Sequence, residues 1–198
     1  MTAPLTGFDP ATFPADVLLD SGIIYVGATA FGAFAGGIKF DPGVTYRNIE
    51  FDGKRTNMKG LDRVTQRMPK ISGTVITLGT SSVARIEPGA DVNATGGWTG
   101  ATSSNAPQAA GTLLVSGDYL TDVRAIWQRG GTTPVAGSYV QVRFPSAICT
   151  KYDISGTDGS EVAIAIEIEA RLDTAWAGYA GPGTAPFRIE YLTALNPA

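Results

Sequence analysis

The clearest pattern in the chain runs from Glu161 to Leu172, "EVAIAIEIEARL". Val162, Ile164, Ile166, Ile168, Ala170 and Leu172 share one side of an extended backbone there, and Glu161, Ala163, Ala165, Glu167, Glu169 and Arg171 share the other. Successive side chains of a strand point to opposite faces, so this period of two predicts a half-buried antiparallel strand with a core face and a polar face. Shorter segments read the same way: "SGIIYVGAT" (21–29), "GIKF" (37–40), "VTYRNIEF" (44–51), "KISGTVITLG" (70–79), "TLLVS" (112–116), "YLTDVRAIWQR" (119–129), "SYVQVRFPSAIC" (138–149) and "PFRIEYL" (186–192). Turn dipeptides punctuate them, notably Asp41-Pro42-Gly43 and Asp52-Gly53-Lys54, where Pro sets φ and Gly permits positive φ. Only "TSSVARIEPG" (80–89) reads as a helix, with Thr80 to Ser82 for a cap and Pro88-Gly89 for a stop.

Eight or nine strands and one short helix predict a mainly β protein: a sandwich or barrel-like pair of antiparallel sheets with one short flanking α-helix. The chain reads as a single domain over 1–198. Residues 1–20 form an N-terminal arm, 52–69 a long basic loop, and 91–111 a flexible Gly/Ala/Ser-rich loop. With 43% hydrophobic and 17% charged residues in 198, the chain can bury one sizeable core. No apolar run approaches the roughly 18–20 residues that span a bilayer. "MTAPLTGFDP" has neither a basic nor an apolar leader region, so synthesis in a cytoplasm is expected.

Candidate chemistry is thin. There is no histidine, which removes the commonest general base, the usual nucleophile triads and the commonest zinc ligand. The single Cys149 cannot form an internal disulfide and reads as a small buried hydrophobe. "GAFAGGIK" (32–39) misses the phosphate-loop spacing by one and has no Ser or Thr after its lysine. "DISGTDGSE" (153–161) carries alternating oxygen ligands but reads as a hairpin turn. Glu161, Glu167 and Glu169 share a strand face, yet nothing in the sequence supplies the unequal environments that an acid/base pair requires. A non-enzymatic protein without cofactor or metal is the expectation.

Charge changes the picture. Between Arg47 and Lys70 seven cations meet three carboxylates, so this segment carries +4 while the rest of the chain carries −7. Three readings compete for Lys54, Arg55, Lys59, Arg63 and Arg67: a solvated loop, a nucleic-acid patch, or a self-association surface. Single-strand binders interleave aromatics with cations, and 54–70 has none. Separated patches of opposite sign let one copy of a chain stack on the next.

The stretch "DSGIIYVGATAFGAFAGGIKFDPGVTYRNIEFDGKRTNMKGLDRVTQRMPKISGTVITL" (20–78) resembles the major tail tube proteins of long-tailed, non-contractile bacteriophages. The likeness rests on Phe40 to Gly43, Tyr46, Asp52 to Arg55, Lys59-Gly60 and Pro69 to Thr74, and on the helix-like "TSSVARIEPGAD" that follows. It covers about a third of the chain well; the later half matches only in strand pattern, and the 91–111 loop has no counterpart. The resemblance implies a tail-tube fold and a homo-oligomer of hexameric rings stacked around a tape-measure protein and closed by tail-end proteins. It implies a place in the virion after assembly in the host cytoplasm, and genomic DNA passing through the lumen without sequence-specific binding.

In such a tube the basic 52–69 loop is expected to cross between rings. The acidic, small-residue face carrying Glu161, Glu167 and Glu169 is expected to line the lumen, because a cationic wall grips phosphates. Reversing Glu167 and Glu169 to lysine is then expected to leave assembly possible and impair DNA delivery. Two other readings are a β-sandwich module for carbohydrate or host-surface recognition, with Trp98, Trp127 and Trp176 as its platform, and a tube protein of a related secretion-type machine.

Overall fold

A computed structural model describes residues 22–31, 34–49, 56, 59–76, 110–128, 139–156, 162–181 and 184–193. The arm 1–20, the helix expected at 80–88, residues 91–109, Trp98, Lys54, Arg55 and Glu161 lie outside the described residues. Ten strands appear among the rest: β1 (Ile23–Val26), β2 (Thr29–Ala30), β3 (Phe34–Asp41), β4 (Val44–Asn48), β5 (Asp62–Arg67), β6 (Lys70–Val75), β7 (Leu120–Gln128), β8 (Tyr139–Ser155), β9 (Ala163–Arg171) and β10 (Arg188–Leu192). The protein is mainly β, and every strand pair is antiparallel.

Eight of these strands form one sheet in the order β2-β1-β7-β8-β9-β6-β3, with β10 added to β8. The 17-residue β8 organises it. Residues 139–147 pair with β7 and 146–155 with β9, so at Ser146 and Ala147 the two neighbours occupy opposite edges. β10 pairs with residues 139–143 and lies along the same edge as β9. The core-facing phase of β8 slips by one at Pro145: Val142 and Phe144 are buried before it, Ala147 and Cys149 after it. Proline contributes no N–H to the ladder, which marks this as the point where the strand changes layers.

The sheet curls until its ends meet around one core. Phe40 of β3 lies 6.2 Å from Phe144 of β8 and 5.2 Å from Phe187, ring centre to ring centre, although three strand positions separate β3 from β8 in the sheet. β1 lies alongside β3. Ile24, Ile71, Val75, Val123, Phe144, Ile166 and Ile168 fill the interior. The two sheets expected from the sequence are thus one hydrogen-bonded sheet rolled on itself, because β8 is long enough to serve both layers. On β9 the predicted core face is buried from Ile164 to Ala170, while Val162 and Leu172 at its ends remain exposed.

Three local expectations are corrected. "TLLVS" is not a strand; it leads into a single 3-10 turn, Ser116–Asp118, in which the Asp118 carboxylate accepts the Val115 N–H at 2.8 Å. Apolar β-branched residues make a strand only where a sheet edge accepts them, and Leu113 and Val115 stay exposed. Asp153 to Ser155, read as turn, continue β8. Residues 62–67, read as part of a loop, form β5 and pair with β4 in a separate two-stranded ribbon.

Candidate functional site

The ribbon leaves the body where β3 ends and returns where β6 begins. Its base is held tightly. The Asp41 carboxylate accepts the Gly43 N–H at 2.9 Å, and the Met68 N–H donates to the Gly43 carbonyl at 2.9 Å. Gly43 has φ +54°, and a Cβ there would sit 1.9 Å from the Met68 carbonyl oxygen. Only glycine fits both the conformation and the space.

Beyond this base the ribbon stands exposed. No residue of β4 or β5 is buried, and all six residues of β5 are exposed. Register distributes its side chains unevenly. Val44, Tyr46 and Asn48 share one face with Arg67, Val64 and Asp62; Thr45 and Arg47 share the other with Gln66 and Arg63. A bulge between the Thr45 and Tyr46 pairs keeps the two strands in phase. The first face is apolar at its centre, with Tyr46 64% and Val64 46% exposed. The second sets Arg47 directly opposite Arg63, and no carboxylate stands against either among the described residues. Like charges directly opposite on a ribbon repel, so this pair costs rather than adds stability.

Of the cations singled out in the sequence, Arg63 and Arg67 therefore lie on opposite faces of the ribbon, and Lys59 is exposed in the turn just before β5. The sequence missed that 62–67 is a strand. The one available signal was Val64-Thr65 flanked by polar residues, a short period-two segment able to mate with "VTYRN".

Next to the ribbon base lies a cleft of about 580 Å³, bounded by Val64 to Met68 on one side and by Glu169 to Leu172, Thr184 and Pro186 on the other. Its acidic wall differs from expectation. Lys70 pairs across strands with Glu169, and its ammonium donates to the Glu167 carboxylate at 2.9 Å and lies 3.7 Å from that of Glu169. Arg171 closes on Glu169 as well. Glu169 is only 6% exposed, so it is a buried, doubly paired carboxylate rather than a surface charge. Glu167 also accepts a hydrogen bond from the Thr150 hydroxyl at 3.2 Å, and Lys151 stands opposite it in register.

The hydrogen bond from Lys70, helped by Thr150 and opposed by partial burial, holds the Glu167 carboxyl below the usual carboxylate range. The reciprocal bond holds Lys70 above the usual lysine value. On this face Lys70 and Arg171 pair with the two glutamates, and Lys151, opposite Glu167, pairs with Asp153 at 2.8 Å, so the face read as acidic carries both signs through the β6–β9 and β8–β9 register.

Elsewhere, Asp122, at φ +56°, binds Arg143 at 2.5 Å and lies 3.4 Å from the buried Arg124. Trp127 packs against the core, and Trp176 lies under the Arg188 guanidinium, 4.5 Å from ring centre to carbon. Among the described residues no group of His, Cys, Asp or Glu side chains is arranged to hold a metal ion, and no helix is long and apolar enough to cross a membrane. Compared with known proteins, the chain matches no protein-family model and no curated protein sequence.

Proposed function

We propose that this chain is a self-assembling structural subunit of a bacteriophage tail tube, built from stacked rings through which DNA is delivered. The observation that carries the reading is the β4–β5 ribbon. A two-stranded ribbon without a core is marginally stable at best in water. This one holds Tyr46 and Val64 in solvent and two arginines face to face, so it gains stability only when another surface covers it. A second copy of the chain is the simplest source of that surface, since the chain outside 47–70 carries −7 against the segment's +4.

Heterologous contacts that close by rotation give rings, and those that continue by translation give filaments. The rolled sheet leaves an edge for the first kind: the outer side of β3, which among the described residues pairs only with β6. The ribbon supplies the second kind. Glu167 stays a candidate lumen residue, as a half-buried and paired carboxylate rather than a bare one.

Negative-stain microscopy of the purified chain across protein concentration and ionic strength tests the reading. Rings or tubes are expected, with fewer of them at high salt as the ribbon's cations are screened. Particles that stay monomeric under every condition overturn it.

A further inference from the structure

The segment "TLLVS" (112–116) reads as a strand, yet none forms there in the single chain. Its backbone leaves Gly111 at φ +88° and reaches Val115 in extended conformation, φ −96° and ψ 166°, just before the 3-10 turn. Among the described residues Thr112, Leu113 and Leu114 make no backbone hydrogen bond. Leu113 is 89% and Val115 65% exposed, and period two puts both on one side of an extended chain. An apolar segment with unused N–H and C=O groups has the chemistry that adds to an open sheet edge.

Such an edge borders the cleft. Val64, Thr65, Gln66 and Arg67 of β5, and Met68 after them, all line it. Alternate side chains of a strand point to opposite faces, so consecutive residues line one cleft when the strand presents its edge to it. β4 occupies the other edge of β5, and among the described residues no further strand pairs with β5. The facing wall, Glu169 to Leu172, is the end of β9 and the residue after it. There the Ala170 N–H donates to the Pro69 carbonyl at 3.0 Å. Beyond that bond Arg171 and Leu172 have no strand on the β6 side among the described residues. Val64, Met68, Leu172 and Pro186 give the space between the walls an apolar lining.

We propose that residues 112–115 of one copy enter this cleft in a neighbouring copy and add a third strand to the ribbon along β5. Leu113 and Val115 then lie against Val64, Met68 and Leu172. The proposal rests on the self-assembly reading and names the segment that covers the ribbon's edge. Three observations select this occupant. A two-stranded ribbon needs a third strand or a packing partner to be stable, and 112–115 reads as a strand that the single chain leaves unpaired. Leu113 is the most exposed large apolar side chain among the described residues, and the cleft offers the apolar lining that would bury it. Residues 110–118 carry a single charge, Asp118, opposite in sign to Arg67, which lines the cleft without a carboxylate partner among the described residues. The segment does not fill the cleft of its own chain. None of residues 110–118 lines it, and Ser116 borders a separate hollow that shares only Arg171 and Leu172 with it.

Chains with one cysteine each test the contact, because they cannot cross-link within themselves. Cys149 is replaced by alanine in both. One full chain carries Leu113→Cys; the other, enlarged by a tag, carries Gln66→Cys. They are mixed one to one, assembled and treated with a short bis-maleimide. Covalent dimers holding one chain of each kind are expected. Rings or tubes seen by microscopy without such mixed dimers overturn the strand addition and leave self-assembly standing. A folded chain that never assembles overturns both. A chain carrying both cysteines that cross-links only within itself also overturns the proposal, because the segment then serves its own cleft. Leu113→Asp in the otherwise natural chain gives the second readout. Assemblies are expected to fall about tenfold or more, the factor that losing one buried leucine implies. The melting curve of the single chain should not move, since Leu113 is exposed there. Assemblies as abundant as before overturn the proposal.

Discussion

At the scale of single residues, Gly43 is the most constrained position. Its positive φ and its contact with the Met68 carbonyl both exclude a side chain. Gly43→Ala is expected to cost about 1–3 kcal/mol from backbone strain alone, and more from the displaced Met68 backbone. Thermal unfolding measures it, and a melting curve superimposable on that of the natural chain would contradict the reading. This position was legible in advance, since Asp41-Pro42-Gly43 announces a turn in which glycine takes positive φ. Glu169 was not legible. The alternation places it correctly on the polar face of β9, but period two says nothing of what stands on the next strand. Lys70 and Arg171 bury and neutralise it through a register set by the fold.

At the scale of elements, the Lys70–Glu167 bridge ties β6 to β9 and gives the sheet a defined pH response. A carboxylate whose folded pKa is lowered stabilises the fold above its unfolded pKa, about 4.3, and that contribution is lost as pH falls through the folded value. Lys70 acts at the other limit: its raised pKa stabilises below the ordinary lysine value and the effect is lost as pH rises through the folded one. Between these limits the bridge is fully formed. Glu167→Gln is therefore expected to lower the urea midpoint at pH 7 and to flatten its fall below about pH 5. Midpoints at several pH values decide it; parallel acid limbs in the two proteins would show that Glu167 does not contribute to the acid response. The strands themselves were mostly legible, because "AIAIEIEAR" and "DVRAIWQ" carry their burial pattern in the sequence. β5 escaped because "DRVTQR" is exposed along its whole length. A strand with no buried face leaves no hydrophobic period to read.

At the scale of the whole molecule, the rolled sheet completes its core without the ribbon. No ribbon residue belongs to the buried cluster. Replacing residues 44–67 with a short glycine-rich link is expected to leave a single cooperative unfolding transition, because none of the described residues removed belongs to the buried cluster. The same deletion should abolish stacked assemblies. Calorimetry together with microscopy checks both halves; tubes formed by the deleted chain would remove the ribbon from the assembly. The charge division between 47–70 and the remainder was legible. What surrounds each charge was not legible, because segments far apart in sequence become neighbours only when β6, β8 and β9 pair.

The sequence by itself determined the class of the protein. Short alternating runs and turn dipeptides specify a mainly β chain, because periodicity and turn chemistry are local properties. Tertiary structure alone decided that two expected sheets are one rolled sheet, that the glutamates of β9 are neutralised, and that part of a basic loop is a bare ribbon. Each of these depends on which strands become neighbours and in what register. Register is fixed by burial and packing across distant segments, and no stretch of sequence read in isolation contains it.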